Sequence, residues 1–379
     1  MSEDIYIVGI DMINFGRFPH KTPGQLGAQA ALAALDEAEV GIRDIQAVFS
    51  GSNYTTMIGQ KVLQEIGQTG VQIINLVNAC STGASAIRMG HVSMKAGEFD
   101  TVLCVGVEQM TGLGMLGAAA AGPIPTEGLL GSASMPAVFG ESGMEYAAKT
   151  GATQTDFALV SVKNHHNATM NPKAFLRKET PLEMVLEAEE IAYPLTKLMC
   201  SINVDGAAAA VLMTESKVKE RGLMDRAIRI RGSAMASAPW GEHDPILHDV
   251  NTPTQIAARK AYEMAGVGPD DIDLVELHDC FASVELQHYE NLGLCGEGEG
   301  VRMIRDGETE LGARIPVNVS GGLLSKGHPI AATGIANMYE LVLHLRGQAG
   351  ERQVKDAKFG MAHVVGLGTS AAVHILEKP

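Results

Sequence analysis

The stretch Ala38-Glu-Val-Gly-Ile-Arg-Asp-Ile-Gln-Ala-Val48 recurs later in the chain as Ala265-Gly-Val-Gly-Pro-Asp-Asp-Ile-Asp-Leu-Val275. The offset is 227 positions, and six of the eleven residues are identical in the two copies. The same offset aligns Ala30, Ala31 and Ala34 with Ala257, Ala258 and Ala261. Such internal similarity at one fixed offset indicates two similar halves that arose by duplication.

Each copy of the repeat reads as a helix, a glycine-containing turn and a strand, with the strands at residues 45–49 and 272–277. Apolar runs predict further strands at residues 5–10, 71–77, 101–107, 208–213, 228–231, 359–365 and 371–375. Helical patterns lie between them, for example at residues 85–95 and 335–345. Strands that alternate with helices predict an α/β fold with a mostly parallel sheet.

A long segment, about residues 112–195, interrupts this alternation. It begins rich in glycine and alanine and then becomes polar and helical, over residues 141–190. We predict an insertion between two strands of the first half, and long connections of this kind commonly carry binding function. The predicted domains are therefore an N-terminal half, residues 1–222, which contains the insertion, and a C-terminal half, residues 223–379.

Composition excludes several classes of protein. The 379 residues are 46% hydrophobic and 19% charged, which is typical of a globular protein. The formal net charge of −15 argues against a nucleic-acid-binding protein, although it leaves small anionic ligands open. Five scattered cysteines with no CxxC pair argue against a disulfide framework or a zinc ribbon. Neither a signal sequence nor an apolar run long enough to span a membrane is seen, so we expect a cytoplasmic protein without a membrane span.

The motif Asn78-Ala-Cys-Ser-Thr-Gly83 follows the predicted strand at residues 71–77 and precedes a helix of small residues. Cys80 is therefore expected near a helix N-terminus, where backbone N–H groups and the helix dipole favour a thiolate. The same N–H groups can stabilise an oxyanion that forms when the sulfur attacks a carbonyl. The alternative interpretation is a small buried cysteine at the end of a strand.

A second motif, Gly327-His-Pro329, follows a glycine pair and precedes a predicted helix. The glycines and the proline favour a loop that presents one imidazole, because proline is favourable in a first helical turn. His328 is thus a candidate general base for a thiol, or a donor to an oxyanion. The alternative interpretation is a histidine that caps or packs against the turn.

The third motif, His278-Asp-Cys-Phe281, comes directly after the strand of the second repeat copy. His278 and Cys280 could both face a cleft there and act as acid and base. Metal binding is a competing interpretation, but no neighbouring cluster supplies the remaining ligands of a closed zinc site. The third interpretation is that Cys280 is a cysteine that only packs in the core.

The fourth motif, Gly366-Leu-Gly-Thr-Ser370, is a glycine-containing turn near the C-terminus. Its glycines would let a backbone N–H approach a ligand closely. His363 lies three residues earlier and has no partner that can be read from spacing.

Taken together and in this order, the four motifs resemble the thiolase superfamily, in particular the thiolase domain of sterol carrier protein x, whose hallmark is the sequence HDCF. The resemblance covers essentially the whole chain. It implies a thiolase fold: two similar βαβαβαββ halves that form a five-layered α-β-α-β-α core and carry an inserted loop domain. It implies that Cys80 is the nucleophile and that His328 activates it and helps bind the thioester oxygen of an enolate.

The resemblance also implies roles for the remaining candidates. His278 would replace a water-holding asparagine of other thiolases and complete that oxyanion hole, and Cys280 would exchange the proton at the acetyl-type carbon. The N–H groups of Cys80 and of Gly366 or Gly368 would form a second oxyanion hole. Most other thiolases carry a cysteine in the C-terminal motif, and His363 would occupy its neighbourhood here.

The implied activity is that of a CoA-dependent thiolase, in cleavage of a 3-ketoacyl-CoA or in the reverse Claisen condensation. A retro-aldolase of the lipid-transfer-protein type, acting on a 3-hydroxyacyl-CoA, and a non-catalytic binding subunit are the alternatives. The resemblance implies no tightly bound cofactor and no metal, with coenzyme A as a substrate. The implied partners are CoA thioesters, a second copy of the chain in a dimer or a dimer of dimers, and a small zinc-ribbon/OB-fold protein.

Overall fold

The repeat in the sequence corresponds to a repeat in the order of the strands. The computed structural model describes residues 3–112, 134–239, 251–367 and 370–379. The strands are β1 (Ile5–Met12), β2 (Ala47–Gly51), β3 (Gln72–Leu76), β4 (Thr101–Glu108), β5 (Glu190–Ala192), β6 (Leu195–Thr196), β7 (Gly206–Thr214), β8 (Ile228–Ser237), β9 (Leu274–Glu276), β10 (Phe359–Gly366) and β11 (Ser370–Glu377). The helices are α1 (Pro23–Glu37), α2 (Ile58–Ile66), α3 (Thr82–Lys95), α4 (Met135–Thr150), α5 (Gln154–Thr169), α6 (Leu182–Leu186), α7 (Glu215–Arg221), α8 (Asn251–Ala265), α9 (Ala282–Asn291), α10 (Gly300–Arg305) and α11 (Thr333–Arg346).

One large sheet has the order β3-β2-β4-β7-β1-β8-β11-β10-β9. The part built from the N-terminal half has the order β3-β2-β4-β7-β1. If the inserted hairpin of β5 and β6 is left out of the count, these are its third, second, fourth, fifth and first strands. The C-terminal part repeats this order, because an isolated parallel bridge from Val317 to Val275 in β9 takes the place of the third strand. The two parts meet at β1 and β8, which pair over only two residue pairs. The domain boundary between residues 222 and 223 stays a prediction.

The expectation of a mostly parallel sheet is wrong. Within the described part of the large sheet, three neighbouring pairs are parallel and five are antiparallel. The cause is the last strand of each half, since β7 and β11 run antiparallel to both of their neighbours. Only three residues separate β10 from β11, and a connection this short can join only antiparallel strands.

The helices form three layers around the two parts of the sheet, which confirms the five-layered core. α3 and α11 contact strands of both halves and pack on each other in the central layer, whereas α1 and α2 cover the N-terminal strands and α8 covers β8 and β11. The central helices cross closely because glycine lies at the contact. A Cβ on Gly334 of α11 would lie 2.5 Å from the backbone nitrogen of Ala84 in α3. This crossing brings together the loops that precede α3 and α11.

The inserted segment contributes α4, α5, α6 and a two-stranded hairpin of β5 and β6. Its glycine-rich start, residues 113–133, lies outside the described residues. α5 runs beside the loop that leads to His328, because the amides of Asn167 and Asn171 donate to the backbone oxygens of Asn318 and Ser320. The insertion therefore supports one of the predicted catalytic loops.

Within the described part of the chain, we find no helix with both the length and the apolarity needed to cross a membrane. The predicted cytoplasmic location stays a prediction.

Candidate active site

The turn between β3 and α3 presents Cys80 at the start of the helix. Ala79 adopts a left-handed conformation, with φ of 47°, which a residue with a Cβ rarely adopts. Hydrogen bonds hold this geometry, because Thr82 Oγ1 donates to the carbonyl of Ala79 at 2.6 Å and Ser81 Oγ donates to the carbonyl of Asn78 at 2.8 Å. The turn thus aims the sulfur away from the sheet and into a cavity.

The end of β10 packs directly against this turn. A Cβ on Gly366 would lie 2.4 Å from the carbonyl oxygen of Asn78, so only glycine fits there. The close approach lets the backbone N–H of Leu367, the next residue, hydrogen-bond to the Cys80 sulfur. Leu367 was not singled out from the sequence, although it lies within the quoted glycine turn. Gly368 lies outside the described residues.

We expect Gly366→Ala to displace the turn between β3 and α3 that carries Cys80, since the new methyl group and the Asn78 carbonyl cannot both stay in place. Overpacking of this kind costs about 1–3 kcal/mol of unfolding free energy, and acylation of Cys80 should fall with it. Denaturant unfolding and acylation rates measure the two effects. Gly41→Ala is the matched control, because its Cβ would meet its nearest atom only at 3.7 Å. Equal behaviour of the two variants would contradict the packing argument.

His328 is oriented as a base toward Cys80. Its Nε2 lies 3.3 Å from the Cys80 Sγ, and its Nδ1 lies 2.7 Å from Thr333 Oγ1. The single hydroxyl hydrogen of Thr333 is donated to the carbonyl of Pro329 at 3.1 Å. Thr333 must therefore accept from an Nδ1–H of His328, which leaves the lone pair of Nε2 facing the thiol.

We expect Thr333→Val to lower kcat/KM about 100-fold, because the His328 ring loses the contact that fixes its tautomer and orientation. The variant should still fold, since valine has nearly the same shape. Steady-state kinetics and thermal unfolding measure the two quantities. Thr214→Val is the control, as Thr214 is also buried but lies at the far end of β7. Unchanged kcat/KM in Thr333→Val would show that the ring is held by packing alone.

At rest the pair is a neutral thiol and a neutral imidazole. Burial raises the pKa of Cys80 to about 12, and this outweighs the opposing effect of the N–H groups of Leu367 and of Cys80 itself. Burial, with smaller contributions from His278 and Lys326, holds the pKa of His328 well below its usual range. Burial thus opposes the thiolate expected at the helix N-terminus, and the N–H groups offset this effect only in part. The thiol must lose its proton to His328 as it attacks.

His278 lies beside this pair and has an unusual environment. Its side chain is only 2% exposed, and neither ring nitrogen has a hydrogen-bond partner among the described residues. The ring packs edge-on against that of His328, with centroids 5.3 Å apart. Burial lowers the pKa of His278 to about 3, so the imidazole is neutral. Buried polar atoms are nearly always paired, so these nitrogens are open for a ligand.

Cys280 lies on the wall of the same cavity and is 4% exposed. Its carbonyl accepts from the N–H of Ser201 at 2.9 Å, which anchors the loop. Burial, followed by the nearby Cys80 and Asp279, raises the pKa of its thiol well above the usual value. Cys280 therefore holds its proton at neutral pH and can act as an acid.

Asp279, which lies between His278 and Cys280 in the sequence, has a positioning role that was not predicted from the sequence. Its carboxylate accepts the backbone N–H groups of Leu323 and Leu324 at 2.7 and 3.3 Å and the amide of Asn164 at 2.9 Å. Burial and then Glu285 raise its pKa to about 7. Asp279 thus ties the loop of His278 and Cys280 to the loop that carries His328.

His363 does not reach the cavity wall formed by the described residues. It is fully buried, its Nε2 lies 3.1 Å from Thr254 Oγ1, and its ring centroid is 4.5 Å from that of His288. Burial lowers its pKa far below the usual range. Among the described residues, the His363 ring contacts His288 and Thr254, and no contact with Cys80 or His328 is found.

The cavity that joins these groups has a volume of about 760 Å³. Its described lining is mostly apolar, and two of the aromatic rings in it, Phe139 and Phe281, stack 4.8 Å apart. The lining residues are Arg17, Cys80, Met110, Thr111, Gly112, Met135, Pro136, Phe139, Glu189, Ile191, Lys197, Cys200, Ser201, Ile202, Asn203, His278, Cys280, Phe281, His328 and Leu367. A nucleophile with its base, a second thiol and backbone donors at the end of an apolar cavity are suited to covalent acyl transfer.

Comparisons with known proteins identify the family of this chain. The family model described as thiolase, N-terminal domain, matches residues 5–193, and the one described as thiolase C-terminal domain-like matches residues 243–378. Sterol carrier protein 2 of Bos taurus is 36% identical over 394 residues, which cover 98% of this chain and 72% of that protein. An acetyl-CoA acetyltransferase of Methanothermobacter thermautotrophicus is 35% identical over 386 residues, covering 99% of this chain and 100% of the relative.

Among solved structures, that of the Ltp2-ChsH2(DUF35) aldolase superposes with a TM-score of 0.86. It is 23% identical in sequence and covers 99% of this chain and 97% of its own, so it supports the fold. Together the two family models match most of both halves, including the positions of all four motifs, and each relative aligns with nearly the whole chain. The chain therefore belongs to the thiolase family.

Proposed function

We propose that this protein is a CoA-dependent acyltransferase that cleaves a 3-ketoacyl-CoA with CoA, or runs the reverse Claisen condensation, through an acyl-enzyme on Cys80. The observation that carries the proposal is the 3.3 Å contact between Cys80 Sγ and the lone pair of His328 Nε2. Cleavage of a bond between two carbon atoms requires attack on the ketone and departure of a stabilised carbanion. The cavity has a group for each of these tasks.

In the first half-reaction His328 takes the thiol proton while the Cys80 sulfur attacks the ketone carbon. The N–H groups of Cys80 and Leu367, which both reach the sulfur, would stabilise the oxyanion. The oxyanion then collapses, the bond between Cα and Cβ breaks, and its electron pair forms the enolate of the departing thioester. His278 and protonated His328 would donate to the enolate oxygen, and Cys280 would donate its proton to carbon.

In the second half-reaction the Cys280 thiolate takes the proton of the incoming CoA thiol. The CoA sulfur attacks the acyl group on Cys80, and the Cys80 sulfur leaves and recovers its proton from His328. Both cysteines and the histidine thus return to their starting protonation states. Two covalent half-reactions of this kind give ping-pong kinetics.

The lining of the cavity supports an apolar acyl group. Met110, Phe139 and Phe281 line the same cavity as Cys80, and Arg17 and Lys197 are the cations among its described lining residues. Burying an apolar acyl chain against such side chains is favourable by about 25 cal/mol for each Å² removed from water. The two cations suit the anionic groups of a CoA thioester.

Intact-protein and peptide mass spectrometry after incubation with a panel of acyl-CoAs and 3-ketoacyl-CoAs tests this function. We expect a mass gain equal to the acyl group, located on the peptide that contains Cys80 and absent from those of Cys200 and Cys280. The chain that labels fastest identifies the preferred acyl group. The absence of an adduct with every thioester would contradict the proposal.

The alternative reaction, retro-aldol cleavage, is tested in the same experiment. The Ltp2-ChsH2(DUF35) aldolase has a similar fold, and an aldolase would release a carbonyl product from a 3-hydroxyacyl-CoA with no acyl-enzyme. We therefore include a 3-hydroxyacyl-CoA in the panel and expect it to remain intact.

We further propose a homodimer formed along β3. This strand is at the edge of the sheet, and three large apolar side chains nearby, Tyr54, Met57 and Val77, are more than half exposed. Edge strands with apolar neighbours are favourable sites for pairing with another chain. Sedimentation equilibrium should give twice the chain mass, whereas a monomer at micromolar concentration would contradict this assembly.

A second protein of another kind is the remaining proposed partner. The structurally similar aldolase is named as a combination of Ltp2 with ChsH2, a DUF35 protein. Acyl-enzyme formation by the isolated chain would show that a partner is not required for the first half-reaction.

A further inference from the structure

The fold assembles a set of metal-binding side chains that spacing in the sequence does not show. His278 and Cys280 alone were too few for a metal site. In the described part of the chain, however, Cys80 and His328 come from other loops, and Cys80, His278 and His328 place their ligand atoms within 4.8 Å of one another. The sulfur and His328 Nε2 are already 3.3 Å apart.

One thiol and two imidazoles are ligands that Zn²⁺ prefers. A tetrahedral zinc ion bound at about 2.0–2.3 Å keeps its ligand atoms roughly 3.5 Å apart. The Cys80–His328 separation already meets this distance, so only His278 needs to move inward. The fourth position would face the cavity and take a water molecule, as in three-ligand zinc sites.

Two features of the surroundings support a ligand at this point. His328 donates its Nδ1–H to Thr333, an outer contact that fixes the other nitrogen for a metal. His278 is only 2% exposed, and both of its nitrogens lack a partner among the described residues. The charges nearby oppose each other, since Glu108 acts on Cys80 and favours a cation while Lys326 acts on His328 and disfavours one.

We propose that Cys80, His278 and His328 bind one Zn²⁺ ion, and that the bound ion reversibly inhibits the site. Binding forms a bond between sulfur and zinc and releases the thiol proton to solvent, with no change of oxidation state. The inhibition rests on the proposed function, because the ion would occupy both the nucleophile and its base. The binding itself does not depend on it.

Titration of the metal-free protein with Co²⁺, a spectroscopic substitute for Zn²⁺, tests the site. We expect a charge-transfer band from thiolate to cobalt together with the intense visible bands of tetrahedral Co²⁺, saturating at one equivalent per chain. Zn²⁺ should displace the cobalt and abolish the spectrum. The charge-transfer band should disappear in Cys80→Ala, and affinity should fall at least tenfold in His278→Gln.

Two variants serve as controls for thiols and imidazoles elsewhere. Cys295→Ala removes a partly exposed cysteine outside the cavity, and His166→Gln removes an exposed histidine of α5. Both should keep the cobalt spectrum of the unmodified protein, and circular dichroism checks that every variant is folded. A missing charge-transfer band in the unmodified protein, or a band that persists in folded Cys80→Ala, would overturn the proposal.

The outcome is independent of the acyl-transfer test. A cobalt spectrum without any acyl adduct would support the metal site and refute the proposed function. An acyl adduct without a cobalt spectrum would support the proposed function and refute the metal site. Where both are found, Zn²⁺ should block adduct formation and a chelator should restore it, and acylation unaffected by saturating Zn²⁺ would overturn the inhibitory part of the proposal.

Discussion

Cys80→Ala is expected to lower thiolysis of a 3-ketoacyl-CoA by at least about 10⁴-fold and to abolish the acyl-enzyme. The reason is that, among the described thiols that line the cavity, Cys80 is the one in contact with the base His328. Loss of a nucleophile costs this much even when the base and the oxyanion donors stay intact. The comparison of kcat between the two proteins, with mass spectrometry of each, measures both effects.

The matched control for this variant is Cys295→Ala, which removes a free thiol that does not line the cavity. It should retain both turnover and the adduct. Alanine at position 80 removes one sulfur atom and leaves the turn intact, because the hydrogen bonds that hold the turn come from Ser81 and Thr82. Substantial cleavage by folded Cys80→Ala would refute the nucleophile assignment, and release of an aldehyde or ketone from a 3-hydroxyacyl-CoA would then favour the aldolase.

The sequence was sufficient to predict the duplicated architecture but not the direction of every strand. The repeat at residues 38–48 and 265–275 predicts a helix, turn and strand at the same place in each half. Such local elements can be predicted from the periodicity of apolar residues. The direction of β7 and β11 depends on which neighbours they pair with. The pairings of β7 with β1 and β4, and of β11 with β8, join residues far apart in the chain, and no local pattern shows them. Only the pairing of β11 with β10 is local, since three residues separate the two strands.

The candidate residues were found because each lies in a short motif after a strand or before a helix. Parallel strands and the helices that follow them bring such loops together, so Cys80, His278, Cys280 and His328 line one cavity. Their protonation states could not be predicted, because burial decides them and burial depends on the whole fold. The helix N-terminus suggested a thiolate at Cys80, whereas burial raises the pKa of this thiol.

The groups that position the catalytic loops were also invisible in the sequence. Asp279 lies inside a quoted motif, and its role appears only when Leu323, Leu324 and Asn164 lie around it. Thr333 lies five residues after His328 and acts through one hydrogen bond. Both are polar residues of ordinary type, and their importance comes from being buried with a specific partner.

Cys280→Ala is expected to separate the two kinds of chemistry at this site. Transfer of an acyl group from acyl-CoA to Cys80 needs Cys280 only to protonate the departing CoA thiolate. Because a thiolate can also leave unprotonated, acylation should be slowed far less than proton transfer at carbon. Proton transfer at the acetyl-type carbon needs an acid and base beside that carbon, and its loss typically costs about 10²–10⁴-fold. Cleavage and condensation should therefore fall by that factor while acylation persists.

Exchange of the methyl protons of acetyl-CoA in deuterated water measures the lost step directly, and burst labelling of Cys80 by acetyl-CoA measures the retained one. The high pKa of the buried Cys280 thiol is what makes this residue suited to the task, because it stays protonated until a strongly basic enolate carbon forms beside it. Serine at this position should not restore exchange, since a hydroxyl is a far weaker acid than a thiol. If exchange survives in Cys280→Ala, the proton must come from an imidazole instead, and His278 is then the residue to replace next, because it lies beside His328 on the cavity wall with both nitrogens unpaired among the described residues.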